Sequence, residues 1–126
     1  MNGEWRRDGF KGRELADKTL GIIGVGRLGR KVASYGNAFG MNVIGYDRNL
    51  NEISDYISMT SSLKELIINS YVISINIHST PENYNLLSKK ILSCMKSDAC
   101  LINTSRGEIV DEVELVNMLK NEKIAG

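Results

Sequence analysis

Three glycines, Gly24, Gly26 and Gly29, punctuate the stretch T-L-G-I-I-G-V-G-R-L-G-R-K-V-A in a chain of 126 residues. Glycine weakens helix and strand alike, so its repetition between an apolar run and an amphipathic one needs a reason. The spacing G-x-G-x-x-G supplies one. Gly24 allows a tight turn, Gly26 puts no side chain between backbone amides and a pyrophosphate, and Gly29 lets a helix pack closely on a sheet. The helix N-terminus that follows offers free amides and the positive end of its dipole to phosphates. Asp47 stands 18 residues beyond Gly29, at the end of a second apolar run. An acid there can accept both hydroxyls of an adenosine ribose and would repel a 2′-phosphate. The combination predicts dinucleotide binding, with NAD preferred to NADP. Arg48 is either a cation that softens this preference or a solvated loop arginine.

A second stretch, L-I-N-T-S-R-G-E-I-V-D, carries Arg106. Taken alone, Arg106 has two readings. It is a structural arginine bonding nearby carbonyls, or a planar, permanently charged guanidinium at a strand's carboxyl end. The second could grip a carboxylate and polarise an adjacent carbonyl.

The elements that must position these residues follow from periodicity. Leu20, Ile22 and Ile23 predict a buried strand ending at Gly24. Leu28, Val32, Tyr35 and Phe39 fall at helical steps, which predicts an apolar stripe on the first helix, with Gly40 as a left-handed cap. Residues 42–47 and 57–59 read as strands, and Ser62 with Glu65 has capping-box spacing for a short helix to about Asn69. Strands over 71–77 and 99–103 alternate with a helix from Ser88 through Met95 and another capped by Asp111 and Glu114. The segment K-I-A-G then opens a further apolar run. Such alternation predicts a Rossmann-like, doubly wound parallel sheet with helices on both faces. Residues 1–18, anchored only by Trp5 and Phe10, read as a connector arm, and residues 19–126 as an NAD-binding domain.

Sixteen basic and fifteen acidic residues nearly cancel, so the chain lacks the basic surplus of a nucleic-acid binder. No apolar run reaches membrane-spanning length, and the N-terminus has no leader pattern. Cys94 and Cys100 have no histidine at metal-ligand spacing. They read as small, buried, apolar groups in a reducing cytoplasm, with no metal site expected.

Together D-K-T-L-G-I-I-G-V-G-R-L-G-R-K-V-A, Y-D and L-I-N-T-S-R-G-E-I-V-D-E-V-E-L resemble the D-isomer-specific 2-hydroxyacid dehydrogenase family. The resemblance covers nearly all residues from Trp5 to Gly126. It implies reversible hydride transfer between NAD and a small 2-hydroxy or 2-oxo acid. Arg27 and Leu28 would contact the pyrophosphate, Asp47 the adenosine ribose, and Thr104, Ser105 and Arg106 the nicotinamide side. Arg106 matches the family arginine that binds the substrate's carboxylate and carbonyl oxygen. Ile77, His78 and Thr80 would edge the cofactor. Over Ser74–Asn83 the sequence departs from the family's S-L-H-x-P-L-T-P-E-T. Asn76 takes the histidine's place, His78 the proline's, and Asn83 the final threonine's. His78 does not match the family's catalytic acid.

That acid–base pair, a glutamate and a histidine, lies in the family beyond the point reached by Ala125 and Gly126, and the substrate domain lies outside this segment too. The expectation is therefore the core of a cofactor domain that alone binds NAD weakly if at all and does not turn over, with an unfinished sheet edge. The family also implies a homodimer for the full-length protein. Two rivals stand beside this reading. One is a non-catalytic, NAD-sensing module of the corepressor type. The other is a methyltransferase using S-adenosylmethionine, which would not need N-T-S-R-G-E-I-V-D-E.

Overall fold

The structure, a computed structural model, describes residues 12–49 and 54–126 together with Gly3; Trp5 and Phe10 lie outside the described residues. Five strands form one all-parallel sheet in the order β3-β2-β1-β4-β5. They are β1 (Thr19–Ile23), β2 (Asn42–Tyr46), β3 (Ile57–Met59), β4 (Val72–Ile75) and β5 (Cys100–Asn103). Strand β1 lies at the centre, with Leu20 in register with Val43 on one side and Val72 on the other. The chain steps outward from β1 to β3, then crosses back over β1 to begin β4. The order therefore reverses between β1 and β4, and a crevice opens beyond their carboxyl ends.

The central strand β1 is buried on both sides because helices cover both, whereas Ile102 on the edge strand β5 is exposed. Helix α1 (Arg27–Ala38) packs on one face, where Leu20, Ile22, Val43 and Ile57 surround Ala33. The other face carries α2 (Leu63–Asn69), α3 (Lys89–Leu92) and α4 (Glu112–Lys120). There Ile23, Ile73 and Ile75 pack with Leu66, Ile67, Leu92 and Met118. This is the Rossmann-like arrangement expected from the alternation.

Helix α1 turns a different side to the sheet from the one its hydropathy suggests. Its buried residues are Gly29, Ala33 and Gly36, whereas Leu28, Tyr35 and Phe39 are 57%, 56% and 63% exposed. Only Val32 of the expected stripe packs against the core. The reason is steric. A Cβ on Gly36 would collide with the Leu20 side chain, so small residues admit the helix axis close to β1 and β2 where larger ones would hold it off.

Gly40 does adopt the left-handed conformation, at φ +76°. The Ser62 hydroxyl accepts the Glu65 amide at 3.1 Å, but the Glu65 carboxylate reaches back to the amide and hydroxyl of Ser61, at 2.8 and 2.7 Å. The box is thus closed one residue earlier than the usual pattern. Asp111 accepts the Glu114 amide at 3.0 Å, as its spacing predicts. Helix α3 ends at Leu92, short of Met95, and Ser88 caps it without a side-chain hydrogen bond. Strand β4 stops at Ile75, two residues short of the predicted limit, and there Asn76 folds its side chain back onto Ser74.

Of the predicted arm, Asp17 and Lys18 are bonded into the body: Asp17 donates its amide to Gly40, and Lys18 accepts from the Asn42 amide, both at 2.9 Å. In the segment K-I-A-G, the Ala125 amide donates to Ala99 and Gly126 accepts from Leu101. Cys94 and Cys100 are half-buried free thiols. Among the described residues no helix is long and apolar enough to cross a membrane.

Candidate functional site

The turn from β1 into α1 is built by steric exclusion. Gly24 adopts φ +90°, and a Cβ there would meet Ile77 Cγ2 at 2.5 Å and the Asn76 carbonyl oxygen at 2.7 Å. No other residue type fits this conformation and this contact. The end of β4 is thereby pressed against the end of β1. A Cβ on Gly29 would strike the Gly24 carbonyl, while one on Gly26 would stand in open space with no atom within 4 Å. Helix α1 then begins at Gly26 with no side-chain cap and no acidic residue in its first turn. Its first intrahelical bond runs from the Arg30 amide to the Gly26 carbonyl at 3.0 Å, so the amides before Arg30 are not used by the helix itself.

Asp47 sits where β2 ends, beside this turn. Its Oδ2 accepts the Val25 amide at 2.8 Å and its Oδ1 accepts the Asn49 amide at 2.9 Å. Arg48 is exposed and does not stand alone in solvent. Its Nη1 donates to the Glu82 carbonyl at 3.4 Å, across to the loop that follows β4.

In that loop Ile77 is half-buried, and His78 and Thr80 are exposed. Asn83 closes the loop by donating its side-chain amide to the His78 carbonyl at 2.8 Å. Beyond β5, Asn103 brackets the next turn. Its Oδ1 accepts the Ser105 amide at 3.0 Å and its Nδ2 donates to the Arg106 carbonyl at 2.9 Å. The Ser105 hydroxyl donates to the Ile75 carbonyl at 3.3 Å, which ties this turn to β4. Arg106 is exposed, and its Nη1 donates to the Ser105 carbonyl at 3.0 Å. A guanidinium has five N–H donors, so this bond leaves most of them for a ligand. The two loops are also joined: the Ser79 hydroxyl bonds the Glu108 carboxylate, and the Asn85 amide donates to the Glu108 carbonyl at 2.8 Å.

These parts surround one cavity of about 1090 Å³ at the carboxyl ends of β1, β2, β4 and β5. Gly24, Gly26, Arg27, Leu28, Asp47, Ile77, His78, Thr80, Thr104, Ser105 and Arg106 all line it. Gly29 does not; it is buried beneath the turn. Tyr46, Asn49, Ser79, Glu82 and Leu86 line it as well, with no contact assigned to them from the motifs, and so does Asn76, which the sequence marked only as a departure from the family pattern. Two residues that shape the site were also passed over in this role, although both sit inside the motifs: Val25, between the first two glycines, and Asn103, which heads N-T-S-R-G. The cavity is slightly larger than the roughly 300–1,000 Å³ usual for cofactor sites. Its open floor at Gly26, the unpaired helix amides and a carboxylate at one end suit an extended dinucleotide.

Residues 1–126 match the family model described as "D-isomer specific 2-hydroxyacid dehydrogenase, NAD binding domain". The chain is 38% identical over 125 residues to the D-3-phosphoglycerate dehydrogenase of Methanocaldococcus jannaschii, covering 97% of this chain and 24% of that protein. Among solved structures, it superposes on an acyclic imino acid reductase in complex with NADPH and D-Arg, with a TM-score of 0.89 and 38% identity, over 95% of this chain and 38% of that one. It superposes equally well on D-lactate dehydrogenase from Aquifex aeolicus complexed with NAD and lactic acid, with a TM-score of 0.87 and 39% identity, over 97% of this chain and 37% of that one. The chain thus spans about a quarter of the curated relative's length.

Proposed function

The chain belongs to the D-isomer specific 2-hydroxyacid dehydrogenase family, as its NAD binding domain, and on that premise we propose that it serves reversible hydride transfer between NAD and a small 2-hydroxy or 2-oxo acid in a longer protein. When bound, NAD supplies the hydride acceptor or donor. The chain's own residues bind and orient. The amides of Gly26, Arg27 and Leu28 receive the diphosphate, with the Arg27 side chain beside it. Asp47 accepts the adenosine ribose hydroxyls. Ile77, His78 and Thr80 edge the cofactor from β4's side, and Thr104 and Ser105 from β5's side.

Arg106 is the residue we assign to the substrate. As a 2-oxo acid is reduced, negative charge grows on its carbonyl oxygen. A guanidinium with free donors can hold the carboxylate and stabilise that charge together. Proton exchange with the substrate oxygen needs a titrating group within hydrogen-bond reach. Nothing in these motifs fills that role, so we place the acid–base pair, a glutamate and a histidine in this family, outside the 126 residues. The segment alone would then bind cofactor weakly at most, without turnover. We propose a homodimer for the longer protein, with no nucleic-acid or membrane partner. We also propose the cytoplasm as its compartment, in keeping with two free thiols. The relatives named above carry enzyme names, and they lend no support to a non-catalytic corepressor module.

The observation that carries this reading is the single cavity shared by the glycine turn, Asp47 and Arg106. Titrating NAD into the isotope-labelled chain tests it. Amide signals of Gly26–Gly29 and of Thr104–Arg106 should shift together. A titration that moves neither group defeats the proposal.

A further inference from the structure

Asp47 is placed to do more than read a ribose. The Val25 amide that it accepts belongs to the glycine turn itself, 22 residues away in sequence. Val25 is otherwise locked: its side chain is 3% exposed in the core beneath α1, where a Cβ on Gly45 would meet its Cγ2 at 2.9 Å. The Arg30 Nε donates to the Val25 carbonyl at 3.2 Å, and three further holds fix the turn. The Gly24 amide donates to the Tyr46 carbonyl at 2.9 Å, the Val25 side chain is buried, and the Val25 amide is held by the Asp47 carboxylate. The Asn49 amide on Oδ1 fixes the carboxylate in turn.

We infer that Asp47 is a positioning residue for the diphosphate cradle, holding the Gly24–Gly26 turn in its binding geometry before any ligand arrives. A carboxylate oxygen has two acceptor sites, so each oxygen of Asp47 can keep its backbone amide and still take a ribose hydroxyl. The two roles are compatible, and they predict different consequences of losing the side chain. A pure ribose reader, once removed, costs affinity for NAD and relieves repulsion of NADP. A clasp, once removed, releases the turn and costs affinity for both, because the diphosphate is common to both.

The inference deepens the proposed cofactor reading, and its structural half stands apart from that reading. The test combines amide hydrogen exchange on the ligand-free chain with NAD and NADP titrations, for the wild type, Asp47→Ala and Asp47→Asn. In Asp47→Ala, exchange at Val25 should quicken at least tenfold while Ile22 and Ile73 in the neighbouring strands keep their rates. Affinity for both cofactors should drop at least tenfold. Asp47→Asn retains one acceptor and should give intermediate protection at Val25. Unchanged exchange at Val25 in Asp47→Ala, or a loss confined to NAD, overturns the clasp. Should the wild type bind neither cofactor, the exchange measurements still decide the clasp, and it is the cofactor reading that fails.

Discussion

The carbonyl of Gly24 fills the space that a Cβ on Gly29 would need, so the first and third glycines of the turn are in direct contact. A Cβ on Gly26, between them, would meet nothing within 4 Å. The same motif therefore contains a packing glycine and a clearance glycine, and the two should fail differently. Gly29→Ala should lower stability by about 1–3 kcal/mol through overpacking. Gly26→Ala should cost at most about 1 kcal/mol as a poorer helix cap, yet weaken NAD binding by intruding on the cradle. Denaturant melts and cofactor titration of the two variants, run side by side, check this. Equal destabilisation by both would contradict it.

Asn103 joins the Ser105 amide to the Arg106 carbonyl through one side chain. Asn103→Asp keeps the acceptor and loses the donor, while Asn103→Ala loses both. We expect a loss of about 1–2 kcal/mol for Asn103→Ala and a smaller one for Asn103→Asp. Backbone chemical shifts of Ser105 and Arg106 should move in the same rank order.

For the longer protein, Arg106→Ala should lower kcat/KM by about 10²–10³-fold, as expected when a charge-stabilising donor is removed, with NAD affinity nearly unchanged. Arg106→Lys should recover little of this, because an ammonium cannot reproduce a planar two-point grip. Full activity in Arg106→Lys would return the guanidinium to a scaffold role.

The hydrogen bond from the Ser61 hydroxyl, then the one from its amide, hold the Glu65 carboxyl below the usual carboxylate range. A depressed value means stabilisation that is complete at pH values above the ordinary glutamate range. It is lost as pH falls through the lower, folded-state value. Amide signals of Ser61 should therefore titrate below the ordinary glutamate range, and Glu65→Gln should abolish that titration. A Ser61 amide indifferent to acid in the wild type would refute the contact.

Helix α1 offers a contrast between hydropathy and packing. Phe39→Ser and Tyr35→Ser remove exposed rings and should change stability by less than about 0.5 kcal/mol each. Ala33→Leu inserts bulk at a fully buried position and should cost about 1–3 kcal/mol or more. Thermal melts of the three variants distinguish a core of small residues from one built on the apolar stripe.

These cases show which features were legible in the sequence. The strand–turn–helix logic around Gly24, Gly26 and Gly29 was legible because φ and steric clearance are local demands that residue type answers directly. The Ser62–Glu65 and Asp111–Glu114 caps were legible for the same reason. The buried face of α1 was not, since Gly29, Ala33 and Gly36 carry almost no hydropathy signal and their value appears only once Leu20 is placed against them. The early ends of α3 and β4 coincide with local side-chain and turn bonding that apolar spacing does not record. The second role of Asp47 depends on a contact across 22 residues of sequence, which spacing to a ribose site does not reveal.

The bond between Ser79 and Glu108 joins the loop leaving β4 to the loop leaving β5. These two walls then behave as one jaw, and the lip carrying Asp47 and Arg48 is the opposing one. Widening the mouth for a bulkier guest falls to that lip, where a single arginine reaches over to the jaw. A replacement at Glu108 would remove the side-chain half of that joint and leave its backbone half, from the Asn85 amide to the Glu108 carbonyl, in place.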